Sequence, residues 1–253
     1  VPPEKRDPRI TTTHGVGELI VAAANKGIKK IIVGIGGSAT NDGGAGMAQA
    51  LGYRLLDSEG NDLPPGGAAL ARLARIDGSA VPFFYRDLDI RVACDVTNPL
   101  CGELGASKVY APQKGADKQI AEELDHALSH FADVIKRDLG IEVKDVPGGG
   151  AAGGMGAGLL AFVGARLMPG FALISEACHL EAHITTADLV LTGEGSIDAQ
   201  TLYGKAVYGV VGLAASYGVP VLAFAGRLGD GYETIYQHGL TAAFSVADGP
   251  ITF

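Results

Sequence analysis

The sequence predicts an α/β fold with largely parallel strand pairing. Short β-branched runs such as Ile31-Ile32-Val33, Ile90–Cys94 and Val221–Ala225 alternate with segments of helical period. Glycine turns punctuate the junctions, and Gly34–Gly46 (GIGGSATNDGGAG) follows an apolar strand directly, as ligand loops of open α/β sheets do.

Taken in order, Thr11–Thr13 offer N-caps for a helix over 16–26, with Leu19, Ile20, Ala23 and Ala24 as its buried stripe and Gly27 as its stop. Lys29–Val33 reads as a buried strand. Glycine lets the backbone take φ > 0 or approach a ligand closely, so the loop that follows reads as a receptor for a polar, anionic ligand, with a tight solvated turn as the plainer alternative. Met47–Leu51 begins or continues a helix, Tyr53–Leu56 is a strand candidate, and 57–62 is a turn. Ile76–Ala80 and Phe83–Leu88 are weaker segments, and Ile90–Cys94 is a better strand. Ala116–Leu139 is the clearest helix: Ile120, Leu124, Leu128, Phe131, Ile135 and Leu139 recur at three- and four-residue steps. Residues 147–158 form a second Gly-rich loop, from which a helix emerges through Leu159–Leu167 and stops at Pro169-Gly170. Ser175–Glu181 reads as a short helix, Asp188–Leu191 as a strand, Thr192–Lys205 as a polar loop, and Val207–Tyr217 as a helix ended by Gly218. Val221–Ala225 and Phe244–Val246 complete the strands.

Composition narrows the function classes. The net charge is −8 and there is no long basic run, so nucleic acid is not an expected partner. The three cysteines form no CxxC pair, which fits a reducing, cytoplasmic setting. No charge-free apolar stretch approaches the ~18 residues of a membrane span. Gly contributes 38 of 253 residues, about twice ordinary usage.

Several motifs can be weighed. Gly34-Ile-Gly36-Gly-Ser-Ala39 fits a relaxed dinucleotide fingerprint, with Asp57 placed as a ribose-binding acid. The same pattern recurs at Gly156–Ala161, and Gly43, Gly44 and Gly46 fall where the fingerprint helix should be established. There is no Walker A loop, kinase H-R-D or D-F-G set, or G-x-S-x-G elbow. His126 and His130 have i,i+4 spacing but no supporting ligand motif, and Cys94 reads as a small buried hydrophobe. Residues 192–205 (TGEGSIDAQTLYGK) are denser in chemistry: Glu194 and Asp198 could hold Mg²⁺ or take a hydroxyl proton. Lys205 lies near a helix start, where phosphate is favoured. Such a set suits phosphoryl transfer; capping residues and surface charges are the plainer reading. Arg227, after a strand and Gly226, is within reach of a ligand.

Gly34–Met47 (GIGGSATNDGGAGM), Ala93–Leu100 (ACDVTNPL), Ala111–Gly115 (APQKG), Gly149–Leu160 (GGAAGGMGAGLL) and Thr192–Lys205 resemble, in order, the signature blocks of the bacterial type I glycerate kinases. The resemblance implies ATP-dependent, Mg²⁺-assisted phosphorylation of D-glycerate, with 2-phosphoglycerate favoured over 3-phosphoglycerate. It also implies two α/β domains, one flavodoxin-like and discontinuous and one inserted into it, with the active site in the cleft between them. On this chain the inserted domain would lie mainly in 1–183 and part of the flavodoxin-like domain in 184–253. Family members carry further segments at both ends, so the chain is expected to be a fragment with low or no activity by itself.

On that resemblance, Ser38, Asn41 and Asp42 would orient the substrate hydroxyls, and Asp42 or Asp198 would accept the proton of the attacking one. Asp95, Gly154 and Gly156 join the substrate side. Thr192, Gly193, Glu194, Gly195 and Gln200 form the nucleotide side, and Lys205 neutralises developing charge. Glu194 and Asp198 are the metal candidates, with Asp95 beside Glu194 as a further holder or support. Backbone N–H groups at 154–158 and 193–196 would cradle phosphate oxygens. A homodimer stays open, as do two rivals: an NAD-dependent oxidoreductase and a non-catalytic binding domain.

Overall fold

The computed structural model describes residues 2, 6–202 and 206–247. The chain divides into two compact units, Val1–Met168 and Pro169–Phe253.

In the first unit, α1 (His14–Asn25) leads into β1 (Lys30–Gly34). Only Gly17 and Ile20 of α1 are buried; Leu19, expected in the apolar stripe, is 73% exposed. The stripe is narrow because α1 packs backbone-close on α2 (Ala45–Ala50): a Cβ on Gly17 would lie 2.5 Å from the Met47 carbonyl oxygen. Two short strands, β2 (Arg54–Leu56) and β3 (Arg75–Asp77), pair antiparallel. Phe83–Asp87 forms a 3₁₀ turn before β4 (Asp89–Ala93).

A short α3 (Ala106–Tyr110) precedes the long α4 (Lys118–Leu139). Asp117 caps α4 by accepting from the Ile120 N–H at 2.8 Å, and Gly140 ends it with φ 73°. The predicted stripe is real: Leu124, Leu128, Phe131 and Ile135 are fully buried. His130 is hydrogen-bonded through Nε2 to the Leu73 carbonyl oxygen at 2.7 Å, which ties α4 to its neighbour.

The second Gly-rich stretch corrects the expectation of a loop. It enters α5 (Ala151–Val163) through three left-handed residues, Ala152, Gly153 and Gly154. The helix ends at Gly164, and β5 (Arg166–Met168) follows where helix was expected. Glycine's helix cost of about 1 kcal/mol per residue is overridden because two backbones meet here. A Cβ on Gly158 would lie 2.4 Å from the Gly43 carbonyl oxygen, and one on Gly156 2.3 Å from that of Gly148. The strands β1, β4 and β5 form a parallel sheet in the order β1-β4-β5. Its carboxyl ends, Gly34, Ala93 and Met168, lie in one register row.

In the second unit, α6 (Gly170–Ala177) and α7 (Leu180–Ile184) replace the single helix expected at 175–181, broken at His179 with φ 53°. Next comes β6 (Val190–Ile197), longer than expected and running through most of the chemistry-dense motif. A 3₁₀ turn at Ala199–Leu202, α8 (Ala206–Ser216), β7 (Val221–Leu228) and β8 (Ala242–Ser245) complete the described chain. The three strands pair in parallel, β6-β7-β8, around a core that includes Ile197, Val207, Val211, Val221 and Ala223. One sheet face carries exposed Leu191, Phe224 and Phe244, the two rings stacked with centroids 5.5 Å apart.

Candidate active site

Each unit has a cavity at the carboxyl ends of two adjacent parallel strands, the usual ligand position in open α/β sheets. In the first unit the cavity is about 270 Å³. It is lined by Ile35–Ser38 after β1, Ala93–Val96 at the end of β4, Tyr110, Gln113 and Lys114 after α3, and Ala151 and Ala152 at the start of α5. That volume lies just under the ~300–1,000 Å³ of drug-sized sites, so it suits a small ligand.

Ser38 and Asp95 are where the sequence placed them, on the cavity wall. Asn41 and Asp42 are not on that wall. Asp42 is fully buried, and its carboxylate accepts from the Thr13 N–H (2.8 Å), the Thr13 hydroxyl (2.9 Å), and the Gly44 and Gly46 N–H groups (3.2 Å each). Burial pushes its pKa up while these four donors pull it down. With its oxygens committed in this way, Asp42 clamps the end of the Gly-rich loop to α1 and α2, a positioning role. Asn41, also fully buried, donates from Nδ2 to the Ser107 hydroxyl at 2.9 Å; its Oδ1 has no partner among the described residues. Gly154 and Gly156, expected at the substrate, are buried against the backbones of Gly43 and Gly148 instead. The N–H of Gly154 is bonded to the Gly150 carbonyl and that of Ala157 to Gly149, so the expected phosphate cradle at 154–158 has two of its donors already taken.

Sequence reasoning missed Lys114. The lysine is 4% exposed and donates from Nζ to the Ser38 hydroxyl oxygen (2.9 Å) and the Thr40 carbonyl (2.7 Å). Burial lowers its pKa to about 8, with Asp42 pulling the other way. The one available signal was its place in the Ala111–Gly115 block, which by itself reads as a turn. Cys94 also lines the cavity; burial raises its thiol pKa, and its Sγ donates to the Val96 carbonyl at 3.3 Å.

The dinucleotide reading loses its geometry. A fingerprint needs the loop to open a helix, whereas left-handed Gly43 and Gly44 separate residues 34–39 from the six-residue α2. Asp57 accepts from the Glu59 and Asn61 N–H groups within its own turn.

In the second unit a cavity of about 280 Å³ is lined by Asp198, Ala199, Gln200, Arg227, Gly229 and Asp230. The motif is strand and turn here, which corrects the expected loop. Alternation along β6 puts half-buried Thr192 and Glu194 on one face and exposed Gly193 and Gly195 on the other. The N–H groups at 193–196 belong to a strand paired with β7, so only those turned away from β7 are open to phosphate. A relay links the polar residues: the Asp198 N–H donates to the Thr201 hydroxyl (3.2 Å), which donates to Glu194 Oε1 (2.7 Å). Asp198 Oδ1 accepts from the Gln200 N–H at 2.8 Å. Lys205 lies outside the described residues.

The sequence pattern of the glycerate kinase family matches residues 1–253. The chain belongs to the glycerate kinase family. A "Glycerate kinase" of Halalkalibacterium halodurans and a "Glycerate 2-kinase" of Escherichia coli K12 are each 54% identical to it, over 97% of this chain and 65% of their own length. A crystal structure of a "putative glycerate kinase 2" from Salmonella typhimurium LT2 superposes with a TM-score of 0.87 at 53% identity, covering 97% of this chain and 63% of that one. The chain thus spans about 65% of the length of the curated relatives it matches. No described helix is long and apolar enough to cross a membrane.

Proposed function

We propose that the protein transfers the γ-phosphoryl group of ATP to a hydroxyl of D-glycerate, giving 2-phosphoglycerate in preference to the 3-isomer. The observation that carries this reading is the 54% identity to a glycerate 2-kinase across 97% of the chain. The first unit's cavity, small and polar on one wall, supports a three-carbon acid as acceptor. The second unit's cavity, at the end of β6, supports the nucleotide side; of the candidate residues Gln200 lines it, and Thr192, Gly193, Glu194 and Gly195 lie on β6 before it. The free cysteines Cys94, Cys101 and Cys178 support a reducing, cytoplasmic setting.

Mg²⁺ usually binds through one or two carboxylates plus substrate phosphate oxygens. Asp198 and Asp230 line one cavity, which supplies the one or two carboxylates that such an ion takes; Glu194 is not on that lining, and its Oε1 accepts from the Thr201 hydroxyl at 2.7 Å. Glu194 and Asp198 would hold the ion, whose charge would offset that of the phosphates. Arg227, exposed on the same cavity, would bind phosphate oxygens. Of the two candidate proton acceptors, Asp42 has its carboxylate enclosed by four donors, which leaves Asp198 as the candidate. In the step itself the substrate oxygen forms a bond to the γ-phosphorus and the bond to the β,γ-bridging oxygen breaks. ADP leaves, and the hydroxyl proton passes to Asp198.

A coupled ADP-release assay across small hydroxy acids tests this, run on residues 1–253 and on a chain of the relatives' full length. Turnover that depends on D-glycerate, with 2-phosphoglycerate identified by ³¹P NMR, is the expected result. Failure of the longer chain to phosphorylate glycerate overturns the reading.

A further inference from the structure

We propose that Lys114 is the residue that recognises the carboxylate of the acid substrate, and that the first unit's cavity selects a hydroxy acid over the corresponding neutral polyol. This rests on the reading that the cavity binds the phosphoryl acceptor.

Three observations lead there. First, a lysine ammonium has three N–H donors, and two of Lys114's are used, on Ser38 Oγ and the Thr40 carbonyl. No third partner for Nζ exists among the described residues. Second, both used acceptors are neutral and no ion-pair partner of Lys114 exists among the described residues, so a nearly fully buried cation is left without a contacting anion. Such a charge is costly unless something pairs it; a bound carboxylate does so at the place where the lysine meets the cavity. Third, the same wall offers what a carboxylate accepts from. Ser38 takes a hydrogen bond from Lys114 and keeps its own O–H as a donor, and the adjoining Gly36 and Gly37 bring backbone to the cavity surface with no room taken by side chains. Asp95 lies on the same cavity and is of the right type to accept from a substrate hydroxyl. A cation on one part of the wall and a carboxylate on another match the two ends of a small hydroxy acid.

A lysine that only clamps 38–40 to 112–115 would account for the two hydrogen bonds but not for its place on the cavity wall. The ionisable groups around it are Asp42, which acts on it through space, and Cys94, Asp95 and Tyr110 on the cavity.

The test uses the full-length chain, titrated calorimetrically with D-glycerate and, separately, with glycerol. Lys114→Gln keeps a donor for the loop and removes the charge. The expected result is at least a 30-fold weaker Kd for D-glycerate, an unchanged Kd for ATP within twofold, and an unchanged response to glycerol. Equal losses for glycerate and glycerol, or a loss confined to ATP, overturn the proposal. Because Lys114→Gln could fail to fold, the wild-type protein supplies a second arm: D-glycerate affinity falls above pH 8 and glycerol binding does not. A glycerate affinity flat from pH 7 to 9.5 overturns it equally. If the protein binds another small carboxylate through Lys114 and does not phosphorylate glycerate, carboxylate recognition stands and the kinase reading fails.

Discussion

The two units place a cavity in the same topological position and build it by different means. In the first, the wall is backed by buried polar groups: Asp42 holds four donors, Lys114 holds two acceptors, and glycines of 43–44 and 148–158 press backbone on backbone. In the second, the wall is an exposed strand end, with Asp198 and Gln200 in a turn and Arg227 on a strand. A wall held by buried hydrogen-bonded groups suits discrimination between small ligands, because most of its groups are fixed before the ligand arrives and the unused donor of Lys114 is left for the ligand. A wall of exposed charged side chains suits a larger, highly charged ligand whose own charges complete it.

The comparison breaks first at Asp42. Asp42→Ala leaves buried donors without an acceptor, and urea unfolding should show a loss of about 3–5 kcal/mol. Glu194→Ala in the second unit should cost less, about 1–2 kcal/mol by the same measurement, since it leaves one buried donor, the Thr201 hydroxyl, without its acceptor where Asp42→Ala leaves four. Next comes a glycine pair. Gly153, at φ 72°, would bring a Cβ to 2.0 Å from the Thr40 carbonyl oxygen. Gly153→Ala is therefore expected to lose about 3 kcal/mol in the same experiment. Gly36→Ala, with open space around it, should stay within about 0.5 kcal/mol.

In the second unit the largest effect should be chemical rather than structural. Asp198→Asn in the full-length chain should lower kcat at least about a hundredfold if Asp198 takes the proton, with little change in melting temperature. Retention of most activity moves that role elsewhere.

A pH experiment sharpens the contrast further. The pKa of Lys114 falls from 10.5 to about 8 on folding. Between these values the folded state holds fewer protons than the unfolded one, so this group's contribution to stability rises with pH across that window. Wild type should therefore gain stability relative to Lys114→Met as pH is raised from 8 towards 10.5, and unfolding curves at stepped pH read the difference. A small effect of opposite sign is expected at Ala152, a non-glycine residue at φ 54° on the cavity wall. Ala152→Gly removes the left-handed penalty and adds chain entropy, for a net gain below about 1 kcal/mol in thermal unfolding.

Much of the fold was legible residue by residue. The stripe of α4 appeared because a long amphipathic helix repeats its signal many times, and β1, β4 and β7 because β-branched runs followed turn signals. The start of α5 was not legible. Glycine content argues for a loop when only local propensity is considered, and the opposing backbone that makes glycine necessary lies more than a hundred residues earlier in the chain. β6 was read short for a related reason: a strand with Gly at alternate positions looks like a loop until its partner β7 is present. The site divided in the same way. Ser38, Asp95, Asp198 and Gln200 line cavities, as residues beyond strand ends tend to do. Asp42 and Asn41 sit in a polar stretch that reads as ligand-binding, yet their side chains turn inward.

By itself the sequence determined the α/β class, the main helix, and the family, because these depend on periodicity and on ordered local blocks. Tertiary structure alone decided which polar residues face a cavity and which are buried. Lys114 in a turn-like block lines a cavity and Asp42 in a ligand-like loop is enclosed by donors, since burial and hydrogen-bond partners are set by segments distant in the chain. A charge is costly or harmless according to what surrounds it, and sequence spacing carries no record of those surroundings.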